Sequence, residues 1–557
     1  MRETISHTII DSTDKYKHRL AYQMREGKRS LIKIHYEDVN IQAQRIASFL
    51  DRKGIKAQEP IGIYAPNSPQ WAIAFAGIMF NNGIAVPIDY NSGSAELQHI
   101  IDDTGIRCIF TTHTYAGRLD RHDLQYIVVM DEDEERDWDR NGRQYSLAAI
   151  LGQSTGSWTV PRVQKQDAAV IIYTSGTTAV PKGVVLTHEG LLSNVHAIID
   201  ALEISENDKF LSVIGLSHTF ELSCGLILPL CVGASVTYNT NLKYTTIFKD
   251  MAFTHPTVIL AVPMLFKILL EHAIARATSA KEVSLGYVEE TRSEKDRAVE
   301  SAKAIFGGAL RFCISGGAPL AVSLIKGYEG IGIPMLQVYG LTEVSGVATL
   351  TPVKPTDLNS VGTALPHVDV TINANHESEP GEVWLRGTSM MKGYNNNPQA
   401  TKDSIQNGWL HTGDIGYLDK RGSLFICGRS KNVIVTSAGV KVHPEELEQR
   451  IQASRYVTEV CVLGKQRPDG TETVHALVVP EQAAYKLYRE DCIKEKASFL
   501  ELHELILAEI AGLTSDLASY KKIHSMQIRN KPLPRGRTRK IMRELVKREI
   551  NTIQSHQ

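Results

Sequence analysis

Through the first half of this 557-residue chain, short apolar runs alternate with amphipathic stretches of helical period. Ile61-Gly-Ile-Tyr64 predicts a strand, followed by a helix from about Ser68 to Met79. Ala85-Val-Pro-Ile88 predicts the next strand, before a helix beginning near Ser94. Tyr126 to Met130, Ala168 to Ile172, Ser235 to Tyr238 and Val258 to Ala261 read as further strands, and Thr187 to Leu202 as a helix. Such alternation between residues 30 and 270 predicts an α/β fold, with parallel sheets covered on both faces. The uncharged run Leu222 to Asn241 is broken by Gly225, Pro229 and Gly233, so it reads as buried strand and helix, not as a membrane span. The acidic run Asp131 to Asp139 predicts a solvated loop, and the charged stretch from about Ala275 to Ser301 a helical surface insertion. After Arg429 the text changes character. Polar Ser430-Lys431-Asn432 leads into a new alternation from Val433, and Pro444 opens a helix with Glu445 and Glu446 in its first turn. The shift predicts a domain boundary at Gly428 to Lys431: residues 1–428, a hinge at 429–431, and a smaller domain over 432–557.

Length and composition narrow the class. A chain this long exceeds one core, so two to four domains or subdomains are expected. With 43% hydrophobic and 22% charged residues and a formal net charge of −1, nothing in the overall charge asks for nucleic acid. The seven cysteines are scattered without a CxxC pair, which predicts reduced thiols in a cytoplasmic protein and neither zinc nor redox work. Asp11 and Asp14 interrupt the place where a signal peptide has its apolar core.

The chemistry concentrates in a few motifs. Tyr173 to Val184 reads YTSGTTAVPKGV. Thr174, Ser175, Gly176, Thr177 and Thr178 can turn hydroxyls and backbone N–H groups toward one point, and Lys182 adds a charge, which makes an anion site suited to phosphate. It is no Walker loop, because Gly183 follows the lysine and a strand, Val184 to Leu186, follows the loop. The plain alternative is a polar hairpin loop. The run Phe312 to Leu320 is a strand ending in Gly316-Gly317-Ala318-Pro319, where bare backbone can approach something flat. Gln337 to Glu343 brings Tyr339 for stacking, then Gly340 and Leu341, a Thr342 hydroxyl, and a Glu343 carboxylate of the kind that holds Mg²⁺ beside a triphosphate. Asp414 sits between Gly413 and Ile415, ahead of a turn at Asp419 to Gly422. From Lys521 to Gln557 there are eleven Lys and Arg against two Glu, which reads as a solvated basic face for most of them.

In this order the motifs resemble the adenylate-forming enzymes: acyl-CoA synthetases, luciferases and peptide-synthetase adenylation domains. The resemblance covers nearly the whole chain. It departs at Ala179, where the family loop has glycine, and at Arg539, where glycine precedes the lysine. It implies a large N-terminal domain of parallel-sheet subdomains plus a distorted β-barrel, and a small mobile α+β C-terminal domain. It further implies that the Thr174–Thr178 loop and Lys182 hold the phosphates of ATP, and that Glu343 and Thr177 hold Mg²⁺. Gly317, Ala318 and Pro319, with Tyr339, Gly340, Leu341 and Thr342, would line the nucleotide. Asp414 would grip the ribose, with Ile426 and Arg429 close by. Lys540 would be the catalytic lysine of adenylation, Lys431 the hinge, and Gly439 part of the face beside the thiol tunnel. Ser217-His218-Thr219-Phe220-Glu221 resembles a block of the long-chain acyl-CoA synthetases, which places His218 where the acyl pocket meets the thiol tunnel. The Arg429 to Gly439 spacing and Val442 to Glu448 match the bacterial long-chain style. The implied activity is a long-chain fatty acid–CoA ligase using ATP, Mg²⁺ and CoA. Rivals are an acyl–acyl carrier protein synthetase, to which an acidic partner and the basic tail would suit, an aryl-acid CoA ligase, and a non-catalytic nucleotide-binding regulator. Implied partners are small molecules, with acyl carrier protein as the alternative acceptor, a peripheral membrane contact, a homodimer and no nucleic acid.

Overall fold

The computed structural model describes all residues except 1–3, 27–29, 121, 132–141, 154–157, 175–179, 279–291, 375, 377–378, 437–439, 467–471, 495–496, 536–540 and 555–557. Contacts group the chain into two compact units. One comprises Met1–Val370 with Leu385–Leu410, and the other Thr371–Trp384 with His411–Gln557.

The first unit holds two large sheets. One has eight strands, in the order Gly393–Tyr394, Lys182–Thr187, Ala168–Thr174, Ile84–Ile88, Pro60–Tyr64, Cys108–Thr111, Tyr126–Val129 and Gln144–Ser146. From Ala168–Thr174 outward to Gln144–Ser146 every pairing is parallel. That is why Ile84–Ile88 and Cys108–Thr111 read as unbroken apolar runs: both faces are covered. Pro69–Phe80 covers part of this layer. Ser68 caps it by accepting from the Trp71 N–H at 3.1 Å, Pro69 opens it, and nearly every residue is buried. Trp71, Phe75 and Phe80 are fully buried. At about 1.5–3 kcal/mol per large apolar side chain, they make this helix a principal anchor.

The second sheet of this unit has nine strands and uses a segment that the hydropathy reading did not reach. Leu20–Glu26 pairs in parallel with Ser235–Tyr238, and Ser30–His35 adds an antiparallel edge. Lys209–Ser212, Val258–Ala261, Phe312–Ser315 and Met335–Tyr339 are mutually parallel neighbours. The loops that carry His218, Gly317 and Glu343 therefore leave this sheet on the same side. The run from Leu222 is buried as expected, but Leu222–Ile227 forms a π-helical turn before the helix Leu228–Val232 and the strand Ser235–Tyr238. Of the charged stretch, residues 275–278 end the helix Pro263–Thr278 and residues 292–301 belong to the helix Arg292–Ile305, while 279–291, like most of the acidic run after Asp131, lie outside the described residues.

The second unit contains the antiparallel hairpin of Trp409–Leu418 and Leu424–Arg429, whose turn is set by Asp419 accepting from the Arg421 and Ser423 N–H groups, both at 2.8 Å. The open five-stranded sheet that includes this hairpin also takes in Val368–Asn373, Gly381–Gly387 and Ile405–Gln406, the last of which is counted with the first unit, and it stands for the expected barrel. Val457–Gln466, Glu472–Pro480 and Ser525–Ile528 form a three-stranded sheet packed on Pro444–Ile451 and Leu502–Leu513. The basic tail is not simply a solvated face. Arg543 is tucked against Glu448 and donates to the Val462 carbonyl at 2.6 Å. Lys547 pairs with Glu472 at 3.3 Å, Lys521 with Glu446 at 2.8 Å and Arg535 with Glu459 at 3.0 Å. Much of its charge is thus neutralised inside the unit.

Candidate active site

The site residues of the first unit sit at strand ends. Thr174 and Lys182 are cross-strand partners in the antiparallel pair that flanks the phosphate-type loop, so the loop closes a hairpin. Ser175, Gly176, Thr177 and Thr178 lie outside the described residues. Both flanks are held by the helix Ser94–Thr104. His99 Nε2 lies 3.0 Å from the Pro181 carbonyl oxygen, and the Tyr173 hydroxyl donates to the Asp103 carboxylate. Asn395 Nδ2 donates to the Asp103 carbonyl at 2.9 Å. The Lys182 ammonium lies over the Tyr394 ring, 5.0 Å from its centroid.

Across the same unit, Gly317, Ala318 and Pro319 are exposed directly beyond the buried strand Phe312–Ser315. Tyr339 ends its strand, and Gly340, Leu341 and Thr342 lead into the short turn Thr342–Val344. Gly340 has a packing reason: an added Cβ would fall 2.0 Å from the Gly346 carbonyl oxygen, so no other residue fits without moving backbone. Glu343 is half-buried. Its carbonyl accepts from the Met391 N–H at 2.7 Å, and its Oε1 accepts from the Tyr394 hydroxyl at 2.8 Å. Among the described residues no cluster of three or more His, Cys, Asp or Glu could cage a metal. One fixed carboxylate fits Mg²⁺, which takes one or two carboxylates and completes its shell with substrate phosphates and water.

His218 caps the single turn Thr219–Glu221 and donates its backbone N–H to the Gly215 carbonyl at 2.9 Å. Two anchors missed from sequence place this segment. Asn67 donates through Nδ2 to Ser212 Oγ at 2.9 Å and to the Ile214 carbonyl at 2.6 Å, while its Oδ1 accepts from the Leu216 N–H at 2.8 Å. Ser223 donates to the Ser345 carbonyl at 2.9 Å, tying the π-helical turn to the Glu343 segment. In the sequence Asn67 is one polar residue ahead of a helix cap, with nothing to reveal its partners.

Glu221 is a buried acid, with no exposed surface and, among the described residues, no hydrogen-bond partner of good geometry for either oxygen. Its carboxyl folds over Gly225, where an added Cβ would fall 2.5 Å from Oε1. Burial pushes its pKa up to about 8; the nearby Ser212 hydroxyl pulls the other way without forming a hydrogen bond of good geometry. From about pH 4.5 to about pH 8 the folded protein keeps this proton while the unfolded chain releases it. Stability attributable to this group therefore falls as pH rises through that window, by up to about 1.4 kcal/mol per pH unit. Glu221→Gln is expected to melt progressively higher relative to wild type as the buffer moves from about pH 5 to about pH 8. A gap that stays constant with pH would refute the buried neutral acid.

In the second unit Asp414 and Arg429 are cross-strand partners, with Arg429 Nε 2.6 Å from Asp414 Oδ1. Asp414 is buried, and its N–H donates to Thr412 Oγ1 at 3.0 Å, whose hydroxyl donates on to the Val383 carbonyl at 2.7 Å. Ile426 lies half-buried on the same hairpin, opposite Gly416. Lys431 is exposed in the short turn Ser430–Asn432, which Asn432 fastens by donating to Glu445 at 2.6 Å. Gly439 and Lys540 lie outside the described residues. Arg535 and Ile541, on either side of the Lys540 segment, face each other in an antiparallel bridge.

The family model described as AMP-binding enzyme matches residues 11–395, and that of the AMP-binding enzyme C-terminal domain matches residues 431–553. The chain belongs to the AMP-binding enzyme family. Among its relatives is a long-chain-fatty-acid–CoA ligase of Bacillus subtilis, 25% identical over 97% of this chain and 93% of that one. An oxalate–CoA ligase of Arabidopsis thaliana is 26% identical over 95% of this chain and 99% of that one. The crystal structure of the anthranilate CoA ligase AuaEII with anthranoyl-AMP superposes with a TM-score of 0.81, at 19% identity, covering 100% of this chain and 98% of that one. The family is thus one of adenylate-forming acid–CoA ligases, and the named relatives act on acids as different as a long-chain fatty acid and oxalate. No helix among the described residues is long and apolar enough to cross a membrane.

Proposed function

We propose that this protein is an ATP-dependent long-chain fatty acid–CoA ligase. The observation that carries the reading is the similarity along nearly the whole chain to a long-chain-fatty-acid–CoA ligase. Beside it, His218 is followed by the buried, mostly apolar π-helical turn Leu222–Ile227. In the first step a carboxylate oxygen of the fatty acid bonds to the α-phosphorus of ATP, and the bond to pyrophosphate breaks with its electron pair leaving on pyrophosphate. In the second the CoA thiolate bonds to the acyl carbon, and AMP leaves. Neither step needs a nucleophilic side chain; both need positioning and charge neutralisation.

In this reading Lys182 and the Thr174–Thr178 loop hold the phosphates. Gly317, Ala318, Pro319 and Tyr339 line the adenine, and Asp414, oriented by Arg429, accepts from the ribose hydroxyls. Glu343, with Thr177, would hold Mg²⁺, which neutralises the charge of the departing pyrophosphate when bound. Lys540 stabilises the charge at the reacting carboxylate and α-phosphate. Residues 429–431 act as the hinge between a 1–428 domain and a 432–557 domain, with Gly439 on the face used for the thiol. The test is pyrophosphate release with and without palmitate, repeated with oxalate and anthranilate, followed by CoA or acyl carrier protein as acceptor. Palmitate-dependent release and thioester formation with CoA are expected. Faster turnover of either short acid, or transfer to the carrier protein alone, would overturn the assignment.

A further inference from the structure

Tyr394 belongs to none of the motifs that single out the nucleotide site, yet it touches two of its charged members. Its ring carries the Lys182 ammonium 5.0 Å from the centroid, and its hydroxyl donates to Glu343 Oε1 at 2.8 Å. Lys182 and Glu343 carry opposite charges and meet one side chain, the ammonium over its ring face and the carboxylate at its hydroxyl, and among the described residues no ion pair joins them. The ring is not placed by chance packing. Gly393–Tyr394 adds a short strand to the edge of the eight-stranded sheet, with Tyr394 opposite Val184 and Gly393 opposite Val185. The Asn395 N–H donates to the Gly183 carbonyl at 2.7 Å and the Lys392 N–H to the Val185 carbonyl at 2.9 Å, so the register extends beyond the strand on both sides. Tyr394 N–H donates to Thr401 Oγ1 at 2.9 Å.

We propose that Tyr394 is a positioning residue that keeps Lys182 and Glu343 apart in the empty enzyme and holds the Glu343 carboxylate in the orientation that receives Mg²⁺. This rests on the reading of Glu343 as the metal carboxylate. Without the ring, the lysine and the glutamate that both rest on Tyr394 would be drawn toward an ion pair, and nucleotide and metal would each have to break it before binding. With the ring, the ammonium is left for phosphate. The hydroxyl occupies one lobe of the carboxylate and fixes its rotation, as outer partners of metal-binding carboxylates do.

The test uses the full chain saturated with a non-hydrolysable ATP analogue, with Mn²⁺ as the probe metal and free Mn²⁺ read by electron paramagnetic resonance. Tyr394→Phe keeps the ring and drops the hydrogen bond. It is expected to weaken Mn²⁺ binding by about 10–100-fold while binding the analogue in EDTA as wild type does. Tyr394→Leu, which also removes the spacer, is expected to weaken analogue binding in EDTA as well. Adding Tyr394→Phe to Glu343→Gln should weaken Mn²⁺ no further than Glu343→Gln alone, because both remove one contact. Wild-type Mn²⁺ binding in Glu343→Gln would sink the metal reading of Glu343. Weak Mn²⁺ binding in Glu343→Gln with wild-type binding in Tyr394→Phe would sink the role of Tyr394 alone. Equal loss of analogue and Mn²⁺ binding in Tyr394→Phe would mark general damage and also overturn it, and unchanged analogue binding in Tyr394→Leu would overturn the spacer.

Discussion

Lys540→Ala is expected to form acyl-adenylate about 10²-fold or more slowly than wild type, and yet to convert preformed acyl-adenylate to thioester at close to the wild-type rate. A preorganised ammonium near the α-phosphate and the attacking carboxylate acts where charge shifts in the first step, and that charge has gone by the second. Arg539, one residue earlier, is a poor substitute. Its guanidinium is planar and bulkier than an ammonium. Damage at the proposed hinge should do the reverse. Lys431→Pro fixes φ in the turn Ser430–Asn432 and hinders a backbone swing there. It should leave adenylate formation nearly intact and slow transfer to CoA. Synthetic acyl-adenylate plus CoA, given to each variant, separates the two. If Lys540→Ala fails with preformed adenylate as well, the alternation of domain faces is wrong.

Asp414→Ala should raise the KM for ATP by about 10²-fold or more. A hydrogen bond to a charged group contributes about 1.5–3 kcal/mol, and a ribose diol offers two. The fold should survive the change, since the Arg429 side chain left behind is 35% exposed and can turn to water. The decisive comparison uses 2′-deoxy-ATP and 3′-deoxy-ATP. Wild type should discriminate against both, whereas Asp414→Ala should treat them and ATP nearly alike, because a lost partner cannot be lost twice. Discrimination that persists in the variant would assign the ribose to another residue. Arg429→Met should fall between the two, since it leaves the carboxylate in place but removes the group that orients it.

What the sequence by itself determined about this protein is local. Helix caps, apolar period and turn residues were enough for Pro69–Phe80 behind Ser68, His188–Leu202 behind Thr187 and the Asp419 turn, because each is decided within a few residues. The order of the nucleotide motifs was also legible, since each motif is contiguous: the loop before Lys182, the glycines after Phe312, Tyr339 to Glu343, and Asp414. The tertiary structure alone decided who touches whom. The strand Leu20–Glu26 lacks strict alternation and becomes a strand because Ser235–Tyr238 offers a parallel edge. Asn67 acts on a backbone segment up to 149 residues away, and Tyr394 meets a carboxylate 51 residues before it. The basic tail looked like a free face until Glu446, Glu448, Glu459 and Glu472 were seen to neutralise it. In the sequence Glu221 is only the last member of the Ser217–Glu221 block, and the surrounding core is what raises its pKa. Period and propensity record how a segment faces a core, but they carry no address for a partner. Hydrogen bonds, ion pairs and desolvation depend on that address, which exists only once the sheets have assembled.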